Sequence, residues 1–341
     1  MTENATQTLN AQPLLSQPLL SMRDVSVRLG REPGSPALIE HIDLSIWPGE
    51  TVGLVGESGS GKTTLGMSLM RLLPGLLDKG LTGEVLYDGR DLLRMRKSEL
   101  TQVRGAEISM ILQDPMASLN PVFTVGDQLR EGLRLNATAT GSLQDRAVAA
   151  LESVRIPSPR ARLDNHPHQM SGGMRQRVVG AIALTRGPRL LVADEPTTSL
   201  DVTIQYQFLD LLKELQNQTG MAMLFITHDF GVVARMCDRV VVMYAGQIVE
   251  QGRVRDIFRR PRHWYTSALL DSVPTVDHAP DRLPTIPGSP PSVTARPQGY
   301  RFHPRCANAQ ARCRVAMPPL DAGADHAVRC WFPLDKERVA A

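Results

Sequence analysis

The chain has 341 residues, which is enough for one large domain with a further segment, or for two domains. Its 38 basic and 35 acidic residues leave a formal net charge of +3, so it lacks the basic excess that is typical of a dedicated nucleic-acid binder. Hydrophobic residues make up 42% of the chain and aromatic residues only 4%, so aliphatic side chains must fill most of its core.

No apolar stretch approaches the roughly 20 residues that a membrane-spanning helix needs. Residues 1–20 are polar and mixed, without a basic start followed by an apolar block, so we expect a flexible tail and no signal peptide. The four cysteines, Cys237, Cys306, Cys313 and Cys330, do not suggest a disulfide framework in so long a chain. We therefore expect any link to a membrane to be made through a partner.

The first predicted elements are short β-like segments that alternate with turn residues from about residue 22 to residue 50. Thr51–Val55 follows as a short apolar strand and leads into a glycine-rich loop. A helix is predicted over Thr63–Leu73, because Pro74 and Gly75 end the helical pattern. Helical periodicity interrupted by prolines then predicts a helical subdomain over about 114–170.

Strand signals return later in the chain, at Leu190–Ala193, Met221–Ile226 and Arg239–Tyr244, with helical stretches between them. This alternation predicts an α/β fold with a largely parallel sheet that is covered on both faces. Prolines are concentrated in the C-terminal part of the chain, and Pro284–Pro291 can form neither a regular helix nor a central strand. Residues 259–341 are therefore interpreted as an extended, loop-rich appendage.

The glycine-rich loop fits the phosphate-binding pattern G-x-x-x-x-G-K-[ST], between a predicted strand and a predicted helix. Its glycines let backbone N–H groups turn toward phosphate oxygens, and the helix N-terminus adds partial positive charge. We expect Lys62 to reach the β- and γ-phosphates of ATP and the Thr63 hydroxyl to ligate Mg²⁺. The candidate nucleotide-binding residues are Gly56, Glu57, Ser58, Gly59, Ser60, Gly61, Lys62, Thr63 and Thr64.

Two acidic residues follow the apolar strand at Leu190–Ala193. Asp194 lies at the carboxyl end of that strand, where it suits the Mg²⁺-binding Asp of P-loop ATPases. Glu195 is then placed to act as the general base that polarises the attacking water.

Further motifs carry a family resemblance. Ser171-Gly172-Gly173 resembles the signature motif of ABC ATPases and precedes Asp194 at the spacing usual in that family. Gln113 resembles the Q-loop residue, Ser199-Leu200-Asp201 the D-loop, and His228 the switch histidine. These motifs occur in family order over about 22–255. The resemblance implies a P-loop NTPase with a RecA-like parallel sheet core, an N-terminal β subdomain and an inserted helical subdomain, together forming an ATPase domain over residues 21–258.

The resemblance also implies a role for each of these residues. Two ATPase domains of the family pack head to tail, so Ser171, Gly172 and Gly173 are expected to contact ATP held by the partner subunit. His228 is expected to contact the γ-phosphate in its own subunit, and Gln113 to sense Mg²⁺ and the attacking water. Asp201 is expected to help form the dimer interface.

Within this superfamily, the chain is similar to the ATPases of oligopeptide and dipeptide importers in Ser109–Pro121, His168–Arg177 and Pro261–Thr266, although Trp264 replaces a usual proline. That similarity implies a peripheral protein on the cytoplasmic face of the cell membrane. Its expected partners are a second ABC ATPase subunit, two transmembrane permease subunits and an extracytoplasmic solute-binding protein, with no nucleic acid. Related subunits move nickel, glutathione or opines, so the resemblance does not name the solute.

Three rival functions are possible. A metal-binding regulatory or interaction module with vestigial ATP hydrolysis would predict loss of Lys62, Glu195 or His228, and all three are present. A soluble ABC ATPase acting on ribosomes or DNA is opposed by the single P-loop and by the segment between Lys62 and Ser171, which is too short for a very long coiled coil. The ATPase of an ABC exporter is the closer alternative, and the 261–341 segment favours an importer instead.

The chain departs from the family pattern at two places. Leu29 stands where the family has an aromatic residue that stacks on adenine, so we expect weaker or less base-selective nucleotide binding. In the appendage, Tyr300 stands where many relatives have the first of four cysteines, and some of these relatives hold a [4Fe–4S] cluster. His303 or His326 could supply the missing ligand, and zinc or no metal at all remain open. The cysteines concerned are Cys306, Cys313 and Cys330.

Overall fold

The computed structural model describes residues 17–32, 34–114, 118–136, 140–198, 200–273, 285–320, 325–335 and 337–338. Most of the tail expected over residues 1–20 lies outside the described residues, as do Ser199 of the expected D-loop and residues 115–117 after Gln113. The other candidate site residues are all described.

Strands and helices alternate along much of the described chain. The strands are β1 (Leu20–Arg28), β2 (Ala37–Ile46), β3 (Thr51–Val55), β4 (Leu81–Tyr87), β5 (Arg90–Asp91), β6 (Ile108–Ile111), β7 (Leu190–Asp194), β8 (Ala222–Ile226), β9 (Arg239–Tyr244), β10 (Gln247–Arg253) and β11 (Ala327–Val328). The helices are α1 (Lys62–Leu69), α2 (Gly75–Lys79), α3 (Lys97–Val103), α4 (Val125–Arg134), α5 (Leu143–Ser153), α6 (Pro159–Arg162), α7 (Gly172–Leu184), α8 (Val202–Thr219), α9 (Phe230–Met236), α10 (Val254–Arg259), α11 (Trp264–Asp271) and α12 (Ala311–Val315).

The larger sheet of the described chain has the strand order β11-β10-β9-β3-β8-β7-β6. Its centre is parallel: β3 pairs with β8 and β9, and β7 pairs with β6 and β8. Every residue of β3, β7 and β8 is buried, as expected for strands with helices on both faces. This confirms the predicted parallel α/β core. It also brings the residues that follow β3, β6, β7 and β8 to one edge of the sheet.

A smaller antiparallel sheet, in the order β2-β1-β4-β5, covers one side of this core. Alternate residues of β2 are buried, which is the pattern of a strand with one face on the core. Ile39 and Ile42 of β2 belong to the same apolar cluster as Leu65 and Leu69 of α1 and Leu54 of β3. The antiparallel sheet therefore packs against the helix that follows the phosphate-binding loop.

Helix α1 is shorter than its sequence pattern predicts, since it ends at Leu69 instead of Leu73. Arg71 adopts a left-handed backbone conformation with φ of 50°. The Leu72 N–H then donates to the Met67 carbonyl at 3.0 Å, which satisfies a carbonyl at the helix end. The chain thus turns before it reaches Pro74, which the sequence pattern treats as the helix terminator.

Helices α4, α5 and α6 lie within the segment for which a helical subdomain is predicted. Side-chain caps start the first two: the Thr124 hydroxyl accepts from the Asp127 N–H and the Ser142 hydroxyl from the Asp145 N–H, each at 3.1 Å. Their buried faces join one apolar cluster with α7 and α8. The boundaries of this subdomain stay a prediction.

The C-terminal segment is more closely integrated with the sheet than an extended appendage would be. β11 extends the large sheet by pairing with β10, and α11 packs in a third apolar cluster that includes Val55 and Tyr244 at the sheet. Tyr265, Tyr300 and Phe302 are almost fully buried in that cluster. Among its described residues, prolines interrupt regular structure, and Tyr265, Tyr300 and Phe302 pack in the same cluster as Val55 and Tyr244.

One buried histidine makes this packing sensitive to acid. The Nδ1 atom of His263 accepts from the Tyr265 N–H at 2.9 Å, so Nε2 carries the proton and donates to the Tyr300 hydroxyl at 2.5 Å. Burial lowers the pKa of His263 to about 4, below the value of about 6.5 in an unfolded chain.

Because the unfolded chain takes up the proton first, the stability from neutral His263 is complete above about pH 6.5 and is lost as the pH falls toward 4. We expect a loss of about 1 kcal/mol between pH 7.5 and 5.5. Urea unfolding at both pH values would measure it. A His263→Asn variant should lack this part of the pH dependence, and an unchanged dependence in that variant would contradict the assignment.

Candidate active site

The phosphate-binding loop connects β3 to α1, as the sequence predicts. Two of its glycines have no room for a side chain. Gly56 has φ of 152°, and a Cβ atom there would lie 2.3 Å from the Met243 carbonyl oxygen. Gly61 has φ of 104°, and its Cβ would lie 2.6 Å from Ile39. Neighbouring strands therefore enforce the tight loop that lets backbone N–H groups converge on an anion.

A cavity of about 320 Å³ opens over this loop. Ser58 and Gly59 line it, together with residues Gly61 to Thr64, whereas Gly56, Glu57 and Ser60 lie outside its lining. The sequence-predicted binding loop thus divides into one part that faces the cavity and one part that supports it. Gln113 and Glu195 complete the polar lining, and Leu38 and Val293 supply its apolar part.

Lys62 is almost buried beside the loop, with 6% of its surface exposed. Its Nζ atom donates to the carbonyl oxygens of Gly56 at 2.7 Å and Glu57 at 3.1 Å. Burial lowers the pKa of Lys62, while the charges of Glu195 and Asp194 oppose that shift. An ammonium held in this way is placed to exchange a carbonyl contact for a phosphate oxygen.

Asp194 ends β7 and is 1% exposed. Burial raises its pKa, and a hydrogen bond with the Thr63 side chain opposes the shift. Within the part of the chain that the structure describes, the Asp194 Oδ1 atom is buried without a hydrogen-bond partner. A buried carboxylate oxygen beside a threonine hydroxyl suits Mg²⁺, which prefers hard oxygen ligands. These residues therefore fit the cation that accompanies ATP.

Three polar side chains from different parts of the chain converge on Glu195. Its Oε2 atom accepts from Gln113 Nε2 at 3.2 Å and from the Thr198 hydroxyl at 3.0 Å, and its Oε1 atom lies 3.4 Å from His228 Nδ1. Its backbone has φ of 44°, a conformation that is unfavourable for a non-glycine residue. A hydrogen bond of 2.9 Å from its N–H to the Ile226 carbonyl holds it. No sequence motif considered above includes Thr198, which joins this group only in the folded chain.

Leu29, which stands at the expected adenine-stacking position, is 47% exposed. It is not part of the cavity lining, and Leu38 and Val293 are the apolar residues found there. The sequence motifs include neither of these two residues. Leu38 lies in β2 and Val293 in the C-terminal segment, so no local pattern connects either of them to the phosphate-binding loop.

An aromatic residue at position 29 should strengthen nucleotide binding. A Leu29→Tyr variant is expected to bind ATP about 2- to 10-fold more tightly and to prefer it more strongly over GTP, because a ring adds a π-face for adenine. Equilibrium binding of both nucleotides would measure this. Leu72→Tyr, at another exposed leucine, serves as control. A strong preference of the unmodified chain for ATP over GTP would contradict the expectation that Leu29 makes nucleotide binding less base-selective.

The signature residues lie outside this cavity. Ser171 caps α7, with its hydroxyl accepting from the Met174 N–H at 3.4 Å, and Asp201 caps α8 by accepting from the Ile204 N–H at 3.0 Å. Gly173 packs against the Ile204 side chain, which links the two helix starts. Ser171, Gly172 and Asp201 are exposed. None of these residues therefore lines the cavity over the phosphate-binding loop of its own chain.

The appendage cysteines do not form a recognisable metal site. Among the described residues, no group of three or more His, Cys, Asp or Glu side chains could hold a metal ion. Tyr300 is buried and bonded to His263, and its pKa lies well above the ordinary value because of burial. His326 is engaged with Glu250 at 2.7 Å. A cluster at Cys306, Cys313 and Cys330, one of the alternatives that the sequence leaves open, therefore has no support from the described residues.

Comparison with known proteins agrees with this geometry. Residues 39–198 match the ABC transporter family, and residues 249–313 match the C-terminal region of oligopeptide/dipeptide transporters. A putative peptide import ATP-binding protein of Brucella melitensis is 46% identical over 318 residues, covering 93% of this chain and 96% of the relative. A probable peptide ABC transporter ATP-binding protein of Sinorhizobium fredii is also 46% identical, covering 92% of this chain and 94% of the relative.

Solved structures show the same fold. A dimeric ATP-binding cassette in a post-hydrolysis state, bound to ADP and phosphate, superposes with a TM-score of 0.61. It is 27% identical in sequence, and the match covers 69% of this chain and 99% of the cassette. The chain therefore belongs to the ATP-binding subunits of ABC transporters, in the oligopeptide/dipeptide transporter group.

Proposed function

We propose that this chain hydrolyses ATP to energise the import of peptides or a similar small solute through an ABC transporter. The observation that carries the proposal is the convergence of Gln113, Thr198 and His228 on the Glu195 carboxylate at the phosphate cavity. Such a carboxylate can accept a proton from water that attacks a γ-phosphate. The match of residues 249–313 to oligopeptide transporters favours an importer over an exporter or a soluble ATPase.

The roles of the individual residues follow from their positions. Lys62 and the backbone N–H groups of its loop bind and orient the β- and γ-phosphates. Thr63 and Asp194 would hold Mg²⁺, with Gln113 nearby, and the cation would neutralise charge that develops on the phosphate oxygens. Glu195 takes the proton of the attacking water, and His228 stabilises charge at the γ-phosphate.

Closure of the site requires a second ATPase subunit in this proposal. The exposed turn formed by Ser171, Gly172 and Gly173 presents a helix N-terminus, which is suited to bind the phosphate of ATP held by a partner. Asp201 lies at the same surface, next to the Gly173–Ile204 contact. The similarity to a dimeric cassette supports this arrangement. The partner is a different ATPase chain or a second copy.

The permease subunits are proposed to dock beside the segment that carries Gln113. A groove of about 450 Å³ there has Met110 of β6 and Val179, Ile182 and Ala183 of α7 in its lining, together with Arg104 and Arg186. Leu112 and Leu135 line it and are 38% and 65% exposed. No helix of the described residues is long and apolar enough to cross a membrane. We place the chain on the cytoplasmic face, held by two permease subunits that receive solute from an extracytoplasmic binding protein.

The proposal includes no iron–sulfur cluster, because Tyr300, at the position of the first of the four cysteines in many relatives, is buried and hydrogen-bonded to His263. Reconstitution of the chain with its permease subunits in vesicles tests the function. ATP-dependent uptake of peptide, and ATPase activity that rises with peptide-loaded binding protein, are the expected results. ATP hydrolysis that ignores both permease and loaded binding protein would contradict a role in import.

A further inference from the structure

The C-terminal segment contacts Glu57, a residue of the phosphate-binding loop that does not line the cavity. Glu57, the second residue of the loop motif, forms a two-pronged ion pair with Arg305, which lies 248 residues away in sequence. The Nη1 and Nη2 atoms of Arg305 donate to the two Glu57 carboxylate oxygens at 2.7 and 3.0 Å. This paired geometry fixes direction as well as distance.

Arg305 is itself held firmly. Its side chain is 4% exposed, its Nε atom donates to the Pro287 carbonyl at 2.9 Å, and its guanidinium lies 5.8 Å from the centre of the Tyr244 ring. Burial lowers the pKa of Arg305, but the hydrogen bonds and charges of Glu57 and Tyr244 together outweigh burial and leave the pKa raised. A buried guanidinium with these fixed contacts is a rigid support for the loop carboxylate.

The backbone of Glu57 is held from the same direction. Its N–H donates to the Tyr265 hydroxyl at 2.9 Å, and its carbonyl oxygen accepts from Lys62 at 3.1 Å. One residue of the loop thus has its side chain and its amide fixed by the C-terminal segment, while its carbonyl touches the phosphate-binding lysine. Because the Glu57 carbonyl oxygen accepts a hydrogen bond from Lys62 Nζ, tilting the Glu57 backbone would displace the Lys62 side chain.

The C-terminal segment is also joined to the rest of the chain by contacts that do not involve the phosphate-binding loop. Arg329 is similarly buried in the same segment and donates to the carbonyls of Ile248 at 2.9 Å and Pro318 at 3.1 Å. β11 adds its own backbone pairing to β10. Attachment therefore has other sources, whereas Arg305 and Tyr265 are directed to the phosphate-binding loop.

We propose that Arg305 and Tyr265 are positioning residues for ATP, which hold the Glu57 peptide so that Lys62 and the loop N–H groups keep a phosphate-binding geometry. The C-terminal segment is then a functional part of the nucleotide site of this subunit. The inference rests on the proposed ATPase function and extends it to residues outside the family's ATP-binding motifs.

The test uses the full chain with its partner subunits and four single variants: Arg305→Met, Arg305→Lys, Tyr265→Phe and the control Arg329→Met. We expect Arg305→Met to raise the KM for ATP about tenfold with a smaller change in kcat, because a charged hydrogen-bonded pair is lost from the loop. Arg305→Lys should recover part of this loss, and Tyr265→Phe should raise KM less. Arg329→Met should lower the melting temperature and leave KM unchanged.

A double-mutant cycle separates positioning from attachment. If Arg305 acts through Glu57, then Arg305→Met should add little to the KM of a Glu57→Gln variant. A full tenfold addition in that background, or equal KM values for Arg305→Met and Arg329→Met, would overturn the inference. Tyr265→Phe decides the matter if Arg305→Met does not fold. Absence of ATPase activity in the unmodified complex would instead contradict the proposed function.

Discussion

Replacement of Glu195 by glutamine is expected to reduce steady-state ATP hydrolysis by about 10²- to 10⁴-fold, the contribution typical of a general base. In the unmodified chain, Gln113 and Thr198 donate to Glu195 at 3.2 and 3.0 Å. The amide has the same side-chain length, and its oxygen can still accept these hydrogen bonds. ATP binding should therefore persist, and dimers closed on ATP should accumulate. Phosphate release and size-exclusion chromatography with ATP would measure the two effects.

A matched substitution controls for the loss of one carboxylate. Glu214 pairs with Arg155 at an exposed position and is not part of the cavity lining. Glu214→Gln should leave hydrolysis within the range of the unmodified chain. Undiminished turnover in Glu195→Gln would show that another group activates the water.

Replacement of Gly172 by valine is expected to lower ATP turnover about 100-fold without unfolding the chain. Gly172 is the first residue of α7, and no described atom outside its own helix turn lies within 4 Å of a Cβ built there. The free energy of unfolding should stay within about 0.5 kcal/mol. A partner's γ-phosphate must approach this backbone closely, however, and a misplacement of about 1 Å can cost two orders of magnitude in rate. Phosphate release and urea unfolding would measure the two quantities.

Gly75 provides a close control for this substitution. It is also exposed, begins helix α2, and has open space around a built Cβ. Gly75→Val should keep full turnover and similar stability. If Gly172→Val kept full turnover as well, or lost ATP binding by the isolated chain, then the signature turn would not be the surface that closes on a partner's nucleotide.

Functional groups that lie close together in the sequence could be predicted from the sequence alone. The loop from Gly56 to Thr63 and the acidic pair Asp194-Glu195 are recognisable because glycine geometry, a helix N-terminus and a strand end are local properties. Continuous apolar runs such as Leu190–Ala193 predict the buried parallel strands for the same reason. The sequence pattern predicts too long a helix α1, because a left-handed turn at Arg71 does not alter the hydrophobic periodicity.

Packing of the folded chain determines which side chains from distant parts of the sequence support this chemistry. Gln113 and His228 converge on Glu195 because parallel strands bring their carboxyl ends to one edge of the sheet. The Arg305–Glu57 pair spans 248 residues, and no periodicity or spacing rule connects positions so far apart. Packing likewise makes Tyr300, which stands at a cysteine position of many relatives, a buried core residue that is hydrogen-bonded to His263. Local patterns identify reactive groups, whereas long-range packing determines what holds them in place.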